Sequence, residues 1–144
     1  MAAKFTHLLK LSVGTETVDD LAAWQATAHD RWPDGQPRHV TRMWPKREVE
    51  ILAGGSIYWV IKGFVQARQK VLRLEEVIGQ DGIRRCAIVL DKRLVRVEAT
   101  PKRAFQGWRY LKPEDAPRDL SGARAQEEAL PLDLQNALAD LGVL

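Results

Sequence analysis

From Lys4 to Val13 the chain places Phe5, His7, Leu9, Leu11 and Val13 on one side of an extended backbone and Thr6, Lys10 and Ser12 mostly on the other. A period of two predicts a half-buried strand, and Gly14 ends it. Thr17 with Asp20 resembles a capping box in which Asp replaces the usual Glu. Val18, Leu21, Trp24, Gln25, Ala28 and Trp32 then recur at helical spacing, which predicts a helix over residues 18–32. Pro33-Asp34-Gly35 reads as a turn, and Pro37 keeps the chain extended into a short strand from His39 to Met43.

Pro45 suits the first turn of a helix and Gly54 its left-handed stop, so Lys46 to Ala53 is predicted as a helix of about two turns. Ser56 to Lys62 is apolar on both faces through Ile57, Tyr58, Trp59, Val60 and Ile61, the mark of a central or barrel strand. Gly63 marks a turn or bulge, and Phe64 to Val77 continues extended. Gly79-Gln80-Asp81-Gly82 is a hairpin turn. Ile83 to Leu90 and Leu94 to Ala99 are two more strands, with Pro101 closing the run, and Phe105 to Leu111 is a candidate last strand.

From Lys112 to Ala129 the sequence is rich in Pro, Asp and Glu without periodicity, which predicts a loop. Leu134, Ala137, Leu138 and Leu141 give a final helix from Pro131 to Gly142. Clustered strands between helical ends predict an α+β domain: a mostly antiparallel, barrel-like sheet of five to seven strands with about three flanking helices.

The length of 144 residues bounds this to one domain spanning 1–144. Cys86 stands alone, which rules out an internal disulfide and fits a reducing compartment. No signal peptide is recognisable, and no apolar run approaches the roughly 20 residues of a membrane span, so a cytoplasmic protein without membrane contact is expected.

Charge changes the picture more. Residues 1–37 carry a net of −2, residues 38–112 a net of +10 and residues 113–144 a net of −5. Arg outnumbers Lys 14 to 8, which favours planar contacts to phosphate or carboxylate. A basic centre between acidic ends predicts a positive field over one surface.

The phosphate-loop, dinucleotide, zinc-protease and nucleophile-elbow motifs are all absent, and no cofactor or metal is implied. His7, His29 and His39 are too scattered to read as a metal set. His7 lies on an apolar strand face and reads as a core histidine, while His39, beside Thr41 and Arg42, is the most interesting of the three. Cys86 alternates with Ile88 and Leu90 and reads as a small core hydrophobe.

Basic residues with aromatics between them carry the functional signal. Arg42, Lys46 and Arg47 flank Trp44 at a strand-to-helix junction. Tyr58 and Lys62 share one strand face, and Arg68 and Lys70 share the next. Trp108 and Arg109 lie in Phe105-Gln106-Gly107-Trp108-Arg109-Tyr110. Guanidinium groups beside stackable rings suit single-stranded or flipped bases. The nine residues Arg42, Lys46, Arg47, Tyr58, Lys62, Arg68, Lys70, Trp108 and Arg109 are therefore the expected nucleic-acid interface. For Arg68 the competing expectation is a structural salt bridge to Asp115 or Asp119.

Thr41-Arg42-Met43, the run Gly54 to Gly63, Ala67-Arg68-Gln69, Phe105 to Leu111 and Asp115-Ala116-Pro117 together resemble a short bacterial family, the domain of unknown function number fourteen-eighty-nine. That resemblance covers nearly the whole chain and implies no activity. A weaker architectural likeness is to the PUA-like superfamily with its ASCH and EVE modules, small pseudo-barrels that bind RNA or modified bases. Some ASCH-type members hydrolyse an acylated cytidine with Thr, Lys and Glu. Thr41, Lys46 and Glu75 or Glu76 are of those types, with no spacing that transfers a catalytic role. The expected function is a module for RNA or a modified base. The alternatives are a protein-interaction or structural domain, and a small hydrolase acting on a nucleotide or base.

Overall fold

The computed structural model describes residues 4–27, 31–32 and 34–120. In chain order these form β1 (His7–Leu11), α1 (Val18–Gln25), β2 (Arg38–Thr41), α2 (Glu48–Leu52), β3 (Ser56–Ile61), β4 (Phe64–Ile78), β5 (Arg84–Leu90), β6 (Val95–Pro101) and β7 (Trp108–Leu111). A short 3-10 turn, Pro113–Asp115, follows β7.

The strands make one seven-stranded mixed sheet, ordered β2-β5-β4-β3-β1-β7, with β6 also paired to β4. Five pairings are antiparallel. The exception is β1 with β3, which run parallel with Lys10 opposite Trp59. A parallel neighbour needs a crossover, and the stretch holding α1, β2 and α2 supplies it.

Sequence patterning explains the helices. Thr17 caps α1, its Oγ1 accepting the Asp20 N–H at 3.0 Å. The helix ends at Gln25, short of the predicted 32, and turns at Ala26. Helix α2 is also shorter than predicted and leads into Gly54, whose φ is +142°, and Gly55. At Gly55 a Cβ would sit 2.1 Å from the Thr6 carbonyl oxygen, so β1 can approach there only because the position is glycine.

Strand β4 organises the sheet. Its first half pairs with β3 on one side and β6 on the other, and its second half pairs with β5. The registers shift between Val65 and Ala67 and between Val71 and Arg73. Such irregularities bend a strand and raise its twist. The sheet curls as a result, and His39 on β2 meets Trp59 on β3 edge to face, centroids 6.1 Å apart.

The curl does not close. The expected barrel is instead an open, mixed sheet, and the two ends of the strand path meet through side chains. The Trp108 indole donates to the Met43 carbonyl at 3.1 Å, and the Tyr110 hydroxyl accepts the Arg47 N–H at 3.1 Å. Two helices stand among the described residues, against three expected. The predicted helix from Pro131 to Gly142 lies outside the described residues, as does the loop beyond Leu120.

Two apolar clusters hold the sheet. The larger fills the concave side with Leu8, Val18, Leu21, Ile51, Ile57, Trp59, Ile61, Cys86, Ile88 and Leu90. Leu9, Tyr58, Val60, Val65 and Val97 form the smaller one on the other side, beneath Phe105 and Leu111. Each fully buried Ile or Leu contributes about 2 kcal/mol. Strand β1 therefore has apolar neighbours on both faces, with Leu8 in one cluster and Leu9 in the other. It is not the half-buried strand its alternation predicts. No helix among the described residues is long and apolar enough to cross a membrane.

Candidate functional site

A cavity of about 420 Å³ opens at the concave side, walled by β1, α1, β2 and β3. Its volume falls in the range of small-molecule sites. Trp59 and Leu90 form apolar wall, and Trp24, 60% exposed, stands at α1.

The polar groups are held firmly. Gln69 is fully buried on β4 beside this cavity's walls. Its Oε1 accepts from the Trp59 indole at 2.9 Å and from Gln25 Nε2 at 2.7 Å. Its Nε2 donates to Gln25 Oε1 at 2.6 Å and to the Asp91 carbonyl at 3.0 Å. An indole only donates and a carbonyl only accepts, so both amide orientations are dictated. Gln25 thus lines the cavity with its amide fixed and one N–H and one lone pair unspent.

Arginines and tryptophans alternate along one wall. The Arg31 guanidinium lies 4.0 Å from the Trp24 ring centroid and 4.8 Å from that of Trp32. The Arg38 guanidinium lies 5.1 Å from the same Trp32 ring centroid. Arg38 is held by Asp34 at 2.5 Å and Glu75 at 3.4 Å. The Nε atoms of Arg31 and Arg38 are buried with no hydrogen-bond partner.

Lys10 and His39 complete the lining. The Lys10 ammonium donates to the Leu11 carbonyl at 3.0 Å, and burial lowers its pKa. Burial, then the Lys10 charge, lowers the His39 pKa to about 4, so this imidazole is neutral at pH 7.

The nine residues expected from sequence do not converge here. Register places Tyr58, Arg68 and Arg109 on one face of the sheet, and Trp108, opposite Lys10, on the other. Tyr58 is buried against the His7 ring. Arg68 grips Asp119 with two bonds of 2.6 Å and reaches Ser56 Oγ at 3.1 Å. Arg47 is bound at both ends by Glu50, at 2.7 and 2.8 Å. Lys62 pairs with Glu16 at 3.6 Å, and Arg109 lies over Phe105. Arg42, Lys46 and Lys70 are exposed. Trp108 is half-buried against Tyr110.

Nor do Thr41, Lys46 and the two glutamates form a hydrogen-bonded cluster. Thr41 accepts from the Met43 N–H, Glu75 binds Arg38 and Arg73, and Glu76 binds Arg84. Cys86 is buried, and that burial pushes its thiol up to about 11, which leaves it protonated and unreactive. Among the described residues no three metal-ligating side chains converge.

Lys10, Trp24, Arg31 and Arg38 were the residues sequence reasoning missed. The available signal was Lys10 itself, a cation in a strand otherwise able to bury both faces.

An α+β protein with an open mixed sheet and a cation- and indole-lined cavity is the class these features define. The chain belongs to the family described as protein of unknown function DUF1489, whose family model matches residues 8–144. No curated protein and no solved structure gives a significant match.

Proposed function

We propose that this protein is a cytoplasmic module that binds RNA or a modified base by taking one base into the cavity between β1, α1, β2 and β3. The cavity carries the reading: two tryptophans, a fixed amide and a basic lining surround a space of nucleotide size. A ring at the mouth supplies stacking, worth about 1–3 kcal/mol per base. The Gln25 amide supplies an oriented donor and acceptor to a base edge.

The exposed charges of Arg42 and Lys46 serve phosphates of the flanking strand, giving affinity without sequence preference, whereas Lys70 and Arg109 stand on the opposite face of the sheet. A second reading, a protein-interaction domain, draws on Val49 and Leu52, exposed three residues apart on α2.

Tryptophan fluorescence during titration with a mixed-sequence single-stranded RNA tests the proposal. We expect quenching that weakens steeply as salt rises and that is reduced at least tenfold in affinity by Trp24→Ala. Binding untouched by Trp24→Ala rejects the cavity as the site.

A further inference from the structure

We infer that the cavity takes a phosphorylated nucleotide, with Lys10 as the counter-ion of its phosphate. This rests on the base-binding reading above and adds the chemical class of the ligand.

The argument is one of charge compensation. Asp20 also lines the cavity, and one of its oxygens accepts the Glu16 N–H at 3.0 Å. Arg38 is neutralised by Asp34 and Glu75. Lys10 makes no ion pair among the described residues. Its one hydrogen bond goes to the Leu11 carbonyl, which leaves two N–H groups for another acceptor. A partly buried ammonium without a counter-ion is costly, and a bound anion offsets that cost.

The neighbouring wall suits a phosphate. Ser12 and Thr15 place their hydroxyls 2.6 Å apart; when Thr15 donates, to Ser12 Oγ or to the Ser12 carbonyl at 3.3 Å, the Ser12 hydroxyl proton is left for an anion. Between them Gly14, at φ +84°, leaves open space where a side chain would stand. His39 faces Lys10 as a neutral imidazole, so it offers a hydrogen bond without repelling the ammonium. The tryptophans lie on the same cavity, which joins an anion end to an aromatic end.

The test compares, on the full chain, the four ribonucleosides, their 5′-monophosphates, a dinucleoside monophosphate and inorganic phosphate, by calorimetry and tryptophan fluorescence. At least one monophosphate is expected to bind tenfold or more tightly than its nucleoside. Lys10→Met should collapse that ratio to within twofold, with circular dichroism and the thermal melt of the variant reporting an intact fold. A dinucleoside monophosphate that binds as well as the monophosphate assigns the phosphate to a strand; weaker binding assigns it to a free nucleotide or 5′ end. A ratio near one in the wild type, or one preserved in Lys10→Met, overturns the role of Lys10 and leaves base binding standing. Inorganic phosphate binding as tightly as any nucleotide overturns the nucleotide assignment. Quenching by none of these ligands or by RNA overturns both.

Discussion

Asp119 holds the Arg68 guanidinium through both carboxylate oxygens, each at 2.6 Å, from a segment 51 residues further along the chain. The pair acts as a clasp. Asp119 also bridges to Val97 on β6, and the flanking backbone bonds from Glu98 N–H to the Arg118 carbonyl (2.8 Å) and from Leu120 N–H to the Arg96 carbonyl (3.0 Å) lie beside it. The guanidinium keeps the Asp119 carboxyl below its ordinary range. An arginine that a sequence reading offers to a ligand is here engaged by the protein itself.

Arg68→Ala should therefore cost stability and spare binding. The side chains are partly solvated, which discounts the pair to about 1–2 kcal/mol, or roughly 3–6 °C in melting temperature. Thermal melts and RNA titration of the variant check both halves. Lost binding with an unchanged melt would return Arg68 to the site.

Gln69 is the most exacting polar residue of the interior. Gln69→Leu removes every partner of the Trp59 indole and strands the Asp91 carbonyl and the Gln25 amide. Groups left unsatisfied in this way cost about 1–3 kcal/mol each, so a loss of at least about 2 kcal/mol is expected in urea denaturation. Gln25→Ala, at the wetter end of the network, should cost less and weaken ligand binding more.

Acid should destabilise the fold through two histidines. Burial, then the Arg68 charge, lowers the His7 pKa to about 4; the His39 pKa is likewise lowered to about 4. His7 Nδ1 accepts the Ser56 N–H at 2.9 Å, a bond that protonation of Nδ1 would abolish. The unfolded chain binds these protons near pH 6.5 and the folded chain only near 4. Stability is thus full above about 6.5 and falls as the pH drops from there towards 4, by on the order of 2 kcal/mol per histidine. Chemical denaturation at pH 7, 5.5 and 4.5 reads the slope, and His7→Phe should flatten it by about half. A stability independent of pH over that window rules out both assignments.

Strands were legible where burial on both faces left an unmistakable apolar run, as in β3 and β5, and the capping of α1 could be read from Thr17 and Asp20. Helix α1 runs shorter than its spacing suggests because periodicity extends past the point where Ala26 turns the chain. The parallel pairing of β1 was hidden, since its partner is 49 residues distant and nothing local announces it. The cavity was hidden for the same reason. Lys10, Trp24, Arg31 and Arg38 are ordinary in their own neighbourhoods and become a site only when the sheet curls. Conversely Arg47 looks available in sequence until Glu50, three residues on, closes on it, whereas the salt bridge of Arg68 to Asp119 was legible as one of two alternatives and is the one the structure shows.

The seam between Trp108 and Met43 has an implication for how this architecture varies. A barrel closed by a backbone ladder has its diameter set by strand number and stagger, whatever residues it carries. Here the distance between the two ends of the strand path is held by an indole and a phenol. Curvature is therefore written in side chains rather than in connectivity. A homologous chain with smaller groups at positions 108 and 110 could keep every strand pairing while opening wider, and so admit a bulkier guest without any change of topology.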